Sequence, residues 1–174
     1  MTDSTKNDFS AHSLVYVPHD ALSNPTAPFD YNDLDYLKDL QEHMWDVMVR
    51  NRGIGLAANQ INLNASVFIM KEMQTKQPIF CVNPLIVSTS EEKELMLEGC
   101  LSDPGMYLKV KRPSRIKAAW TNVEGEREEH ELEGMNARVF QHEFDHLCGV
   151  LFTDRVGGVK LKAARKKQAK LLNG

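Results

Sequence analysis

Hydrophobic and polar positions change their period along the chain, and the changes mark out elements. Leu34, Leu37, Leu40, Met44, Val47 and Met48 recur at intervals of three and four. That spacing predicts an amphipathic helix over about 32–52, stopped by Gly53 in a left-handed cap. Short apolar runs at 66–70, 78–87 and 115–120 read as strands, and residues 120–132 as a hairpin turning at Glu124 and Gly125. A second helix is predicted over about 136–148, closed by Gly149. A third, basic helix fills the tail, with Leu161, Ala164, Gln168 and Leu172 along one side. The first dozen residues read as frayed, and Pro18, Pro25 and Pro28 punctuate an irregular stretch to about residue 30. A block of strands with helices before and after it predicts an α+β fold, with mixed, mainly antiparallel strands.

Composition narrows the class. A length of 174 residues suits a single domain over 1–174 with a buried core, 1–12 being loose and 155–174 the basic helix. An apolar share of 42% and a charged share of 26% exclude a disordered or fibrous chain. No apolar run approaches the roughly 18 residues of a membrane span. The polar, acidic first segment resembles neither a secretory signal nor an Arg-rich transit peptide. Cys81, Cys100 and Cys148 are too scattered for a disulfide framework and fit a reducing compartment. A cytoplasmic globular protein is the expectation. Its net charge of −3 hides an asymmetry, because residues 155–174 hold seven Lys/Arg and no acid and so carry +7 against −10 elsewhere. Such a tail either meets an anionic partner or forms a solvated helix face that pairs with the acidic body.

The sharpest chemical signal is His142-Glu143-Phe144-Asp145-His146. Histidines at i and i+4 leave one helix face and can grip one metal ion, while Glu143, about 100° around, reaches a water without ligating. The alternative is a helix with two ordinary half-buried histidines. A catalytic metal site needs a third protein ligand and an open position. The longer zinc-protease pattern H-E-x-x-H-x-x-G-x-x-H is matched through Gly149 and then fails at Phe152. Residues 147–174 contain no His or Glu, so the third ligand is either Asp154 or a residue upstream. Cys100, in Glu98-Gly99-Cys100-Leu101-Ser102-Asp103-Pro104, is the natural upstream candidate. Cys81 and Cys148 read as inert. A further block, Gly53-Ile54-Gly55-Leu56-Ala57-Ala58-Asn59-Gln60, permits close backbone approach and offers an amide at Gln60. It also fits a helix cap running into a small-residue core segment, and it lacks the features of a phosphate loop.

Taken together and in order, GIGLAANQ, EGCLS and QHEFDH resemble the three motifs of the peptide deformylases. The resemblance covers residues 53–149, and the basic tail is similar to that of bacterial members that carry one. It implies strands packed around a central metal-binding helix and an enzyme that removes the N-formyl group from the initiator methionine of new polypeptides, releasing formate. It implies Cys100, His142 and His146 as metal ligands, with Fe(II) the expected ion and Zn(II), Ni(II) or Co(II) suited to the same donors. Glu143 would be the acid/base. Gln60 and the Leu101 backbone N–H would meet charge on the formyl oxygen, and the Ile54 and Gly55 backbone would pair with the extended N-formylmethionyl peptide. The basic helix would touch ribosomal RNA; no DNA or membrane partner is expected. Glu98 and Arg112 are either a pair steadying the Cys100 loop or unrelated surface charges, and Arg138 and Val139 are candidates to border the methionine pocket. The runner-up readings are a zinc peptidase or other amidase, and a non-catalytic metal- or ribosome-binding module.

Overall fold

The computed structural model describes residues 7–30 and 32–173. Within them lie helices α1 (Asp20–Ser23), α2 (Leu34–Arg50), α3 (Gly134–Leu147) and α4 (Gly158–Leu172). The strands are β1 (Gly55–Ala57), β2 (Val67–Lys71), β3 (Pro78–Thr89), β4 (Lys93–Cys100), β5 (Asp103–Pro113), β6 (Arg115–Thr121) and β7 (Arg127–Glu133). Two 3-10 turns, Ala58–Ile61 and Phe152–Arg155, link them. One sheet has the order β1-β2-β3-β6-β7, and β4-β5 is a separate hairpin. Every pairing among the described residues is antiparallel.

The middle of the five-stranded sheet, β2 with the first half of β3 and most of β6, is covered on both faces, which is why these strands read as apolar runs, whereas β7 is charged and largely exposed. Successive side chains point to opposite faces. Val67, Ile69, Phe80 and Val82 therefore pack with Leu37, Leu40, Met44 and Met48 of α2. Phe68, Met70, Cys81, Ile116, Ala118 and Trp120 pack with Val139, Phe140 and Leu147 of α3. Phe68 and Phe140 meet edge to face at 4.9 Å. A third cluster joins Met106, Leu108 and Val110 of β5 to Phe152, Leu161 and Ala164.

Several expectations are corrected. β1, β4 and β5 were not among the predicted strands, although Met106-Tyr107-Leu108-Lys109-Val110-Lys111 alternates buried and exposed along β5. The first six residues of the segment read as frayed lie outside the described ones, but from Asn7 onward the chain is tied down. Phe9 is buried, stacks on His43 and meets Tyr36 edge-on, and Asn7 bonds Asp39. The tail helix begins at Gly158, because residues up to Arg155 form a 3-10 turn; Gly174 lies outside the described residues. Leu172 lies on the same side as Gln168, its Cδ2 3.7 Å from where a Cβ on Gly105 would stand, yet it is 62% exposed.

Helices α2 and α3 end in the same hydrogen-bond pattern with different residues. After α2 it is Arg52, not Gly53, that takes the left-handed conformation (φ 60°), with Arg52 N–H bonding Val49 O and Gly53 N–H bonding Met48 O. Gly53 is needed for space instead, since a Cβ there would fall 2.7 Å from Leu101 Cδ1. After α3, Gly149 N–H bonds His146 O and Val150 N–H bonds Asp145 O, with Gly149 at φ 72° as expected. A Cβ on Gly149 would also lie 2.8 Å from the Asn24 carbonyl carbon. Gly149→Ala should therefore lower stability by at least about 1–2 kcal/mol, the cost of a left-handed L-residue before any clash. A urea titration checks this; an unchanged midpoint would contradict it.

Candidate metal centre and catalytic cleft

Three separated segments meet at one end of α3. Cys100 ends β4, and His142, Glu143 and His146 line the inner face of α3, all three buried. The donor atoms of Cys100, His142 and His146 lie within 4.8 Å of one another, and Cys100 Sγ is 3.3 Å from His146 Nε2. Asp154 is elsewhere: its Oδ2 accepts from Leu151 N–H and shapes the second 3-10 turn. Phe152, where the protease pattern would need a ligand, is buried and packs its ring 5.6 Å from that of His142.

The third segment is the 3-10 turn after β1. Gln60 is buried, its Oε1 accepting from Ala57 N–H at 2.8 Å. Nε2 donates to Ser102 Oγ at 3.1 Å and lies 3.6 Å from Cys100 Sγ. Asn59 Nδ2 donates to the His146 carbonyl at 2.6 Å, fastening this turn to α3. Gly55 passes so close to Glu143 that a Cβ there would stand 2.8 Å from the Glu143 carboxyl carbon. A cleft of about 740 Å³ opens here, and Ile54, Gly55, Gln60, Leu101, His142 and Glu143 all border it. His146 sits below, fully buried.

Charges around the cleft explain its chemistry. Burial opposes ionisation of Glu98, yet hydrogen bonds from His142 and Arg112 and the Arg112 charge hold its carboxyl well below the usual carboxylate range. An ionised carboxylate only accepts, so His142 Nδ1, 3.0 Å from Glu98 Oε2, carries a proton, and Nε2 is the ring nitrogen that would meet a metal once its own proton is displaced. Burial also opposes charge on His142, but hydrogen bonds with Cys100 and Glu98 and the Glu143 charge push its pKa up to about 10. Burial, then the neighbouring His142 and Arg112 charges, hold His146 well below the ordinary imidazole value, so it stays neutral. Burial pushes Glu143 up to about 7, and its Oε2 is buried with no hydrogen-bond partner among the described residues. Cys81 is fully buried and its thiol is pushed well above its usual range by that burial.

Glu98 and Arg112 are a buried pair and not surface charges. Glu98 Oε1 accepts from Arg112 Nε at 2.7 Å and from Arg138 Nη1 at 2.9 Å. Arg112 Nη1 reaches Asp145 at 2.6 Å, and Arg155 closes on the other side of Asp145. Arg138 and Val139 do border the cleft, but the Arg138 guanidinium is committed to Glu98 and to the Val110 and Glu94 carbonyls. The sequence reading did not identify Ser102, Asn59 or Asp145. Asp145 lies inside the histidine motif, and Ser102 inside EGCLS, so position alone marked them. Glu98→Ala would leave two buried guanidiniums without this carboxylate and should cost about 3–5 kcal/mol. Arg155→Ala, at a side chain 47% exposed, should cost far less. Chemical denaturation of both variants checks the contrast.

Comparison with known proteins bears on the site as a whole. Residues 11–162 match the family model described as polypeptide deformylase. A peptide deformylase of Phenylobacterium zucineum is 41% identical over 160 residues, covering 90% of this chain and 94% of its own. The fold is similar to a peptide deformylase from Synechococcus elongatus in complex with actinonin, with a TM-score of 0.84 at 33% identity, covering 94% and 90% of the two chains. It is also similar to a peptide deformylase from Legionella pneumophila, with a TM-score of 0.83 at 33% identity, covering 93% and 95%.

Proposed function

This chain belongs to the peptide deformylase family, and on that premise we propose that Cys100, His142 and His146 hold its metal ion while Glu143, Gln60 and the Leu101 N–H carry the chemistry. The enzyme is a hydrolase that removes the N-formyl group from new polypeptides. Peptide deformylases are metal-dependent, and one thiolate and two imidazoles converging within 4.8 Å fit a divalent ion. Neutral His146, with Nε2 3.3 Å from Cys100 Sγ, suits that role. We assign Fe(II) as the ion, with Zn(II), Ni(II) and Co(II) acceptable to the same donors. A bound ion would supply the Lewis acidity that makes water a competent nucleophile near neutral pH.

The protein groups do the rest. Glu143, with a pKa of about 7 and one free buried oxygen, takes a proton from water and returns it to the departing amine. A C–O bond to the formyl carbon forms, the C–N bond breaks, and formate and the free amine leave. The Gln60 amide is oriented by Ala57 N–H on its oxygen side and by Ser102 Oγ on one N–H, which leaves the other N–H on the Cys100 side to meet developing negative charge together with Leu101 N–H. Ile54 O already accepts from Lys71 N–H, so by the alternation of a strand ladder the Gly55 peptide groups turn to the free edge of β1. Gly55 is therefore the residue we assign to pair with the extended N-formylmethionyl substrate, next to Ile54. The single observation that carries this reading is Glu143 Oε2, a buried unpartnered carboxylate oxygen beside the three donors. Glu143→Ala should keep its metal and lose roughly 10²–10⁴-fold in formate release from a formyl-Met peptide. Cys100→Ser should lose the metal, because a neutral hydroxyl poorly replaces a thiolate. Metal analysis and a formate assay on both check this, and full metal occupancy in Cys100→Ser would overturn the ligand set.

Docking of α4 onto ribosomal RNA is also proposed, and five exposed lysines support it: Lys160, Lys162, Lys166, Lys167 and Lys170. No described helix is long and apolar enough to cross a membrane. Peptide deformylases are generally cytoplasmic, and we assign this one there, as a single domain over 1–174. Co-sedimentation with ribosomes should weaken steeply with salt, through counterion release, and Lys166→Ala/Lys167→Ala should flatten that dependence. Salt-insensitive binding would contradict the assignment.

A further inference from the structure

The basic tail does not hang free of the catalytic cleft. Cys100 and Asp103 are cross-strand partners, separated only by the two-residue turn Leu101 and Ser102. That turn carries a proposed metal ligand at one end and the proposed Leu101 N–H donor within it. Asp103 is 3% exposed. Its charge is answered from α4: Arg165 Nη1 donates to Oδ1 at 2.8 Å and stands 2.8 Å from Oδ2, and Gln168 Nε2 donates to Oδ1 at 2.7 Å. Gln168 also donates to the Pro104 carbonyl at 2.8 Å, and Arg165 Nη1 bonds Gln168 Oε1, so the four residues close a network. Leu161 and Ala164 pack the same helix onto β5.

We propose that Asp103, clamped by Arg165 and Gln168, is a positioning residue that makes α4 part of the support of the Cys100 turn. A buried carboxylate without its cation is costly, so freeing Arg165 obliges Asp103 to seek water. The register carries that movement directly across to Cys100 and into the Leu101 N–H. The tail then has two faces with separate duties, an inner one (Arg165, Gln168) holding the cleft and an outer one of lysines facing solvent. The inference rests on Cys100 being a metal ligand.

The test uses full-length Arg165→Ala and Arg165→Lys, with Lys38→Ala, at an exposed cation of α2, for comparison. Cobalt(II) titration of the metal-free chains, followed by the thiolate–cobalt absorption band, reads the ligand geometry. Alkylation of Cys100, located by peptide mapping, reads the turn without any metal. Arg165→Ala should bind cobalt about 10-fold or more weakly, alkylate faster at Cys100, and lose kcat with KM within about twofold. Arg165→Lys should recover part of each, and Lys38→Ala should match the unmodified chain. Equal cobalt affinity and Cys100 reactivity in Arg165→Ala, with only the melting temperature lowered, would overturn the clamp. Should Arg165→Ala fail to fold, Gln168→Ala removes one neutral donor; a smaller change in the same direction is expected, and no change overturns the proposal. Absence of the thiolate–cobalt band in the unmodified chain would instead overturn the metal reading on which the clamp depends.

Discussion

A single buried carboxylate organises this molecule. Glu98 lies on β4, and its two oxygens receive hydrogen bonds from Arg112 on β5 and from Arg138 and His142 on α3. Buried this deeply, the charge persists only because every neighbour answers it, and each neighbour in turn depends on it. The β4–β5 hairpin is joined to α3 by that exchange, because the two belong to different layers and share no strand pairing. The same bond that docks the hairpin fixes the proton of His142 on Nδ1. Structure and site chemistry are thus one interaction.

Close approach is the second constraint. Glu143 can exchange a proton near neutrality because burial desolvates its carboxyl and another backbone passes tightly by. Gly55 provides that passage, since any side chain would collide with the carboxyl. Asn59 then locks the turn carrying Gln60 onto the last carbonyls of α3, and the N-terminal segment crosses both cleft-forming turns, Val15 N–H bonding Gln60 O and Val17 N–H bonding Ser102 O. The cleft walls are therefore held by backbone groups at several points, which suits a site whose donors must not reorganise during reaction.

The basic tail resolves into two populations. Arg155 and Arg165 turn inward to Asp145 and Asp103, whereas the five lysines of α4 are exposed. Of the two readings of the charge asymmetry, the two arginines represent the one in which the tail pairs with the acidic body. Arginine's planar fork suits the buried carboxylates, and lysine's hydrated ammonium suits the surface.

How much of this was legible beforehand depended on range. The period of α2, the runs of β2, β3 and β6, the turn before β7 and the Gly149 cap are local patterns, and they appeared where the spacing put them. The donor residue types were equally local: two histidines four apart with a glutamate between, a cysteine between glycine and leucine, a glutamine after small residues. The short strand β1 and the hairpin β4–β5 escaped, because β1 has three residues and β4 is mostly exposed along its length, Leu95 and Leu97 included. What the chain alone left open was which charge meets which. Cys100 was already favoured over Asp154 as a companion to the histidines, but its place beside them and the role of Glu98, surface charge or buried partner, were not fixed by residue type alone. Tertiary structure decided them, since the energy of a charge depends on its burial and its partners, and both are set by strand register and layer packing between residues 14 to 62 positions apart.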